Sequence, residues 1–528
     1  AGDGNHGPAQ SADGLMRKPS LQTLRRTVQL SCLLGVLWLF LQTEYRGTDQ
    51  LAWPVSLLFR LDPLAALAAA LAPGPFGWTM LWPALLLLLL TALFGRFFCG
   101  WICPLGTTLD GLGRAMGRGR VPLSFAWRRV KYALLLALTA AALFGVQLLG
   151  IFDPLAIFLR TLTVAIYPAW NLFWNDAFDA FYSHRVPLLS PAADAAWPLF
   201  RDYLLAFHPP AFTLALFTLL VFLAIVLLER VERRFWCKNL CPLGALLGLC
   251  SRHALLQRTP SRACPGCGDC LQHCRMTAVS SAGRRPEECI LCLDCAGFCP
   301  QEKVEWRLAA QPPSTGVDLT RRGTITALAA GLLVAPAVRL TPDPGRQDGF
   351  LLRPPGAVAE AEFLARCIRC GECLKVCIGQ ALHPAFLQAG AAGLWTPLLI
   401  PRIGYCEYNC TLCGQVCPTG AIRLLPLEEK RKTVIGLAVF DRDRCLPFAR
   451  GEECLVCEEH CPTPQKAIVF EEQEVFFEGT RRRLKIPRVV PKRCIGCGIC
   501  ETRCPLEGAS AIRVINEGES RRPPALWQ

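Results

Sequence analysis

The sequence predicts a membrane α-helical unit of four transmembrane helices, with a fifth further along, joined to α+β ferredoxin-like iron-sulfur domains. Three observations carry this. The chain of 528 residues is 52% hydrophobic, with a mean hydropathy of +0.32, and its apolar runs approach the roughly 20 residues that cross hydrocarbon. Twenty-four of its thirty cysteines fall into six quartets of cluster-binding type. The basic excess of +14 crowds beside the apolar runs, where lipid and topology account for it, and this excludes a nucleic-acid role.

The stretch from Cys264 to Cys299 organises the chain, because it repeats C-x2-C-x2-C-x3-C twice. Three thiolates of such a tight loop seize one cubane while the fourth reaches across to its neighbour. Cys264, Cys267, Cys270 and Cys299 are therefore expected to hold one 4Fe-4S cluster, and Cys289, Cys292, Cys295 and Cys274 a second. A disulfide framework does not need this run, and structural zinc sites close with two pairs of ligands.

In chain order, residues 1–26 form a polar N-terminal segment ending in Arg17, Lys18, Arg25 and Arg26, expected on the cytoplasmic side. A membrane domain follows at 27–255, with spans near Val28–Gln42, Thr79–Phe98, Tyr132–Phe152 and Phe212–Leu228. Basic residues cluster after the second and fourth spans, which places the two-cluster ferredoxin domain at 256–312 in the cytoplasm.

The membrane domain is duplicated. R-F-F-C-G-W-I-C-P-L-G at 96–106 returns as R-F-W-C-K-N-L-C-P-L-G at 234–244, and L-D-P-L-A at 61–65 returns as F-D-P-L-A at 152–156. The C-x3-C spacing is read as setting Cys99 with Cys103, and Cys237 with Cys241, on single helical faces. Duplication brings the four thiols to one additional redox site, either a metal centre or dithiols. Asp62 and Asp153 are candidates for handling quinone protons, although Asp-Pro is also an ordinary helix start. Arg96 and Arg234 are further catalytic candidates, against the reading of basic residues at helix ends as topology anchors.

Paired C-x3-C-P motifs on a four-helix unit, followed by two ferredoxin quartets, resemble the NapH membrane subunits of periplasmic nitrate reductase systems over residues 20–305, and the related MauN, NosR and CcoG proteins. The resemblance implies a quinol dehydrogenase component of the bacterial inner membrane. The arginine pair and apolar run from Thr320 to Val338, within a segment at 313–345, look like a twin-arginine signal or a fifth span, so residues 346–528 are expected in the periplasm.

That last part carries four more quartets: Cys367, Cys370, Cys373 and Cys377; Cys406, Cys410, Cys413 and Cys417; Cys445, Cys454, Cys457 and Cys461; Cys494, Cys497, Cys500 and Cys504. It resembles the exported polyferredoxins NapG and MauM. Carried over from related four-cluster subunits, the first quartet pairs with the last and the two middle ones pair together. Cys504 would then complete the 367 set and Cys377 the 494 set, with Cys461 completing the 406 set and Cys417 the 445 set. Sequential pairing is the alternative. Six 4Fe-4S clusters make the chain an electron carrier between the membrane quinone pool and a periplasmic reductase or cytochrome. A different class, a factor delivering electrons to a metal centre of a partner enzyme, is the competing reading.

Overall fold

The computed structural model describes residues 21–74, 78–117, 125–184, 190–260, 264, 266–280, 283–299, 304–308, 320–341, 349–477 and 480–521. Residues 1–20 and the domain boundaries expected at 312 and 345 lie outside them.

The apolar Leu21–Gln42 helix sets the scale of the molecule. Its 22 residues span about 33 Å at 1.5 Å per residue. Near its start, Gln29 Nε2 donates to the Gly100 carbonyl at 2.8 Å, in the layer that carries the 264–299 module. Just beyond its end, the Thr43 carbonyl accepts from Lys375 Nζ at 2.9 Å, in the module that carries the last four quartets. The two-quartet and four-quartet modules thus sit at opposite ends of a helical bundle. The bundle also contains the Trp78–Phe94, Arg129–Leu143, Ala215–Leu227 and Arg321–Arg339 helices.

These helices differ from the expected spans where glycine intervenes. The first begins at Leu21, so Arg25 and Arg26 are helical and not part of a loose tail. The second stops at Phe94 because Gly95, at φ +86°, turns the chain. The Tyr132–Phe152 segment is not one helix: it breaks after Leu143, where Gly145 takes φ +76°. Among the described residues two helices are long and apolar enough to cross a membrane, Leu21–Gln42 and Pro154–Phe181. Trp78–Phe94 and Pro242–Ser251 are shorter apolar helices.

The Arg321–Arg339 helix starts with Thr320 as N-cap, whose Oγ1 accepts from Gly323 N at 3.2 Å. It packs on the Arg129–Leu143 helix at a close approach, since a Cβ on Gly331 would lie 2.3 Å from the Ala137 carbonyl oxygen. The described strands form two-stranded antiparallel ladders. Leu256–Pro260 pairs with Val304–Leu308 beside the two-quartet module, and Leu437–Phe440 pairs with Ile512–Ile515 in the other. Ile422 forms an isolated bridge with Ala357, and Ile468–Phe477 is a ten-residue strand.

Candidate electron-transfer centres

Four short helices build the interior of the bundle, and each begins with the same three-residue signal. Asp62, Cys103, Asp153 and Cys241 are the N-caps, each followed by Pro-Leu, of helices Pro63–Leu71, Pro104–Ala115, Pro154–Thr161 and Pro242–Ser251. Proline suits the first helical turn and forces the residue before it out of the helical region. The two Asp-Pro helices run toward the four-quartet module. Just past the first, the Pro73 carbonyl accepts from Arg366 Nη2 at 2.9 Å, and Arg160 in the second donates to the Arg369 carbonyl at 3.2 Å. The two Cys-Pro helices run the other way, with Asp110 bound to Arg275 at 2.7 Å and Gly248 against the Glu287 carbonyl. Pro63–Leu71 touches Pro242–Ser251, and Pro104–Ala115 touches Pro154–Thr161. Helices that touch while their C-terminal ends diverge must meet at their N-terminal ends, so all four N-termini point into the centre.

This geometry corrects the single-face reading of the C-x3-C pairs. Cys99 lies in the short Phe97–Trp101 helix and Cys237 in a π-turn, while Cys103 and Cys241 are extended, with ψ of 117° and 110°. Proline after the second cysteine stops the helix, and a reversal of the chain brings the sulfurs together instead. All four thiols are buried and lie within electrostatic reach of one another. Arg96 and Arg234 cross between the copies. Arg234 of the second copy donates to the Cys99 carbonyl at 2.8 Å and to the Gly106 carbonyl at 3.2 Å. Arg96 of the first reaches Gly244, where its Nη2 would lie 2.7 Å from an added Cβ, and Glu288 at 3.2 Å. Two fixed cations therefore flank four sulfurs, a charge balance suited to thiolates holding a metal centre.

Arg96, Arg234 and Lys131 are fully buried and paired. Basic residues that read as topology anchors thus fasten the two-quartet module. Lys131 Nζ meets both oxygens of Glu288 at 2.6 Å, and Arg234 and Arg275 share Asp110 at 2.8 and 2.7 Å. Burial alone would raise the Asp110 pKa, but these guanidinium groups hold it well below the usual carboxylate range. The module's Ile290 meets Gly100, where a Cβ would lie 2.0 Å from the Ile290 carbonyl oxygen. A cavity of about 280 Å³ beside this contact is lined by Cys274, Cys289, Cys292 and Cys295, the set expected for the second cluster. Of the first set, Cys264 and Cys267 are exposed while Cys270 and Cys299 are half-buried.

In the four-quartet module the first-with-last pairing does not form. Cys417 lines one cavity with Cys367, Cys370 and Cys373, and Cys504 lines another with Cys445, Cys454 and Cys457. Cys377 stands with Cys406, Cys410 and Cys413, and Cys461 with Cys494 and Cys497. The pairing is sequential because the Glu372–Lys375 helix packs on Leu412–Gln415, and Val456–Glu459 packs on Ile499–Thr502. Each such pair of short helices carries the two exchanged cysteines. Among the described residues no three His, Cys, Asp or Glu side chains are drawn close enough to hold a single metal ion. The 289, 367 and 445 sets stand around cavities instead.

The sets also have an order. Cys373 lies within electrostatic reach of Cys413, Cys406 of Cys497, and Cys500 of Cys457, and Cys406 N donates to the Cys497 carbonyl at 2.8 Å. The 367, 406, 494 and 445 sets therefore follow one another away from the bundle. The 367 set abuts the bundle through Ile368, whose carbonyl oxygen would lie 2.2 Å from a Cβ on Gly150. Between this contact and the four buried thiols, Phe152 stacks on Trp236 with centroids 6.3 Å apart and planes within 10°.

The chain is similar to known ferredoxin-type proteins. The methylamine utilization ferredoxin-type protein MauM of Methylorubrum extorquens is 40% identical over 174 residues, covering 32% of this chain and 74% of that protein. The ferredoxin-type protein NapG of Escherichia coli is 37% identical over 187 residues, covering 34% and 78%. The chain belongs to the MauM/NapG family of ferredoxin-type proteins. Like other members of that family, it carries 4Fe-4S electron-transfer domains. A family model described as a 4Fe-4S binding domain matches residues 76–124 and 212–261, the copies that contain Cys99 with Cys103 and Cys237 with Cys241. No solved structure matches.

Beyond its family cysteines, the chain holds Asp62 and Asp153 as true N-caps. Asp62 Oδ1 accepts from Leu64 N at 2.9 Å and Asp153 Oδ2 from Ala156 N at 2.8 Å. The two buried carboxyls lie within electrostatic reach of each other, and Asp62 Oδ2 meets no donor among the described residues. Residues without a sequence signal complete the site. Arg160 lies 4.1 Å over the Trp395 ring, whose Nε1 donates to Thr218 at 3.0 Å, and Lys375 pairs with Glu44 at 2.7 Å. These contacts join positions more than 170 apart in sequence, which no local pattern announces.

Proposed function

We propose that this chain is a membrane-bound quinol dehydrogenase component in which a NapH-like membrane domain is fused to its own MauM/NapG-like polyferredoxin. Electrons from the quinone pool would leave through the 445 set to a periplasmic reductase or cytochrome. The observation that supports this most is the linear order of cysteine sites through the molecule: the 289 set, the four buried thiols, then the 367, 406, 494 and 445 sets. A four-iron cluster accepts and releases one electron at a time, and the chain supplies the spacing. Gly100 and Gly150 admit the Ile290 and Ile368 loops at either end, and Phe152 with Trp236 bridges the interval.

In this reading five helices cross the membrane: Leu21–Gln42, Trp78–Phe94, Arg129–Leu143, Ala215–Leu227 and Arg321–Arg339. The packing of the last at Gly331 favours a retained span over a removed signal. An odd number of crossings puts the two-quartet module in the cytoplasm and the four-quartet module in the periplasm. The four buried thiols would hold a seventh cluster, in keeping with the family model that matches there.

The test is quinol-driven reduction of the full, cluster-loaded protein, followed by electron paramagnetic resonance. Steady multi-electron flow to a soluble acceptor is expected. Reduction that stops at one bound metal equivalent would favour the factor that delivers electrons to a partner's metal centre.

A further inference from the structure

The lining of the cavity beside Cys289 extends well beyond its four cysteines. A water takes roughly 30 Å³ of liquid volume, so about 280 Å³ corresponds to on the order of nine waters. Part of that lining carries no cysteine. There the walls are Phe94 at the end of the Trp78–Phe94 helix, Ala254, Leu256 and Trp306, with Arg252 and Arg258 among them. Arg258 and Trp306 face one another in the ladder that flanks the module.

Two features of this wall point to its occupant. Trp306 Nε1 and Arg252 Nε are buried donors with no hydrogen-bond partner among the described residues. An unpaired buried donor costs about 1–3 kcal/mol, so a ligand that brings two acceptors is favoured there. The wall is otherwise apolar, and Phe94 with the nearby Leu255 is exposed at 43% and 37%, at the end of an apolar helix where a hydrocarbon tail can enter.

We propose that this part of the cavity binds the ring of a quinone, its two carbonyl oxygens accepting from Trp306 and Arg252 and its isoprenoid tail leaving past Phe94. The assignment rests on the quinol dehydrogenase reading and names its substrate site. The ring lies in the same cavity as Cys274, Cys289, Cys292 and Cys295, at the two-quartet end of the molecule, and not at the Asp62–Asp153 pair. Flat apolar rings with few polar groups suit mostly apolar walls that carry a small number of placed polar groups.

The experiment uses the full, cluster-loaded chain in detergent with a photoreactive azido-quinone, and peptide mapping locates the label. Label on residues 94–95, 252–258 or 304–308 that excess unmodified quinone removes is the expected result. Leu256→Trp, which fills the slot, should cut that label at least tenfold while iron content stays at the wild-type value, and Trp306→Phe should weaken it severalfold. Competed label elsewhere in the chain overturns the site and leaves the quinol reading standing. Absence of any competed label, together with no quinol-driven reduction of the clusters, overturns both. Undiminished label in Leu256→Trp also overturns the site, because the slot would then be irrelevant to binding.

Discussion

Glu360 shows how single side chains tie the four-quartet module together. Its carboxylate lies between Arg353 and Arg521, each at 2.6 Å. Burial would raise its pKa, but the two arginines bring it down to about 2. An unfolded glutamate titrates near 4.3, so the folded pKa is depressed. Its stabilisation is complete above about pH 4.3 and is lost as pH falls toward about 2. Glu360→Gln should cost about 3–5 kcal/mol at pH 7, because it leaves the buried Arg353 without a carboxylate while Arg521 keeps Glu519. Denaturant titrations at pH 7 and pH 3 should show the gap from wild type shrinking in acid. An equal gap at both values would mean that the pair does not titrate as described. At the same scale, Cys103→Ser and Cys241→Ser remove soft ligands from the duplicated centre. Quinol-dependent reduction of the 367–504 clusters should fall by at least an order of magnitude in either variant, with Cys32→Ser and Cys250→Ser as unaffected controls.

At the scale of elements, glycine contacts decide how helices and loops dock. The Arg321–Arg339 helix lies so close to Arg129–Leu143 at Gly331 that a larger side chain must separate them. Gly331→Val should destabilise the bundle by about 1–3 kcal/mol, the usual cost of overpacking, read as a lower midpoint of thermal unfolding. If the helix were a cleaved signal, the mature protein would show no change. Gly150→Val, at the contact with Ile368, should instead displace the 367 loop. It should slow quinol-driven reduction of the 367–504 clusters while leaving the 264–299 clusters reducible. That split separates loss of docking from general misfolding.

For the whole molecule, the decisive quantities are iron and topology. Six quartets require about 24 irons per chain, and occupancy of the four buried thiols by a further cubane brings about 28. Anaerobic protein with fewer than about 20 would contradict six clusters. Reporter fusions after residue 312 and residue 528 should give cytoplasmic and periplasmic signals respectively. Matching signals would contradict the placement of the two modules across a membrane, although their positions at opposite ends of the bundle would stand.

The sequence by itself determined the cysteine quartets, the duplication of the helical unit and the Asp-Pro helix starts. These are local properties: a tight C-x2-C-x2-C loop, an Asp-Pro cap and an apolar run act over a few residues each. It also marked Cys99, Cys103, Cys237 and Cys241 as a set, because repetition is visible without structure. Tertiary structure alone decided which fourth cysteine joins which loop, since exchange between quartets depends on short helices packing across gaps of tens of residues. It also turned Arg96, Arg234 and Lys131 from flanking charges into buried clamps. Charge counting sees how many cations lie near a helix end, but only packing reveals the carboxylates of Asp110 and Glu288 that make their burial affordable.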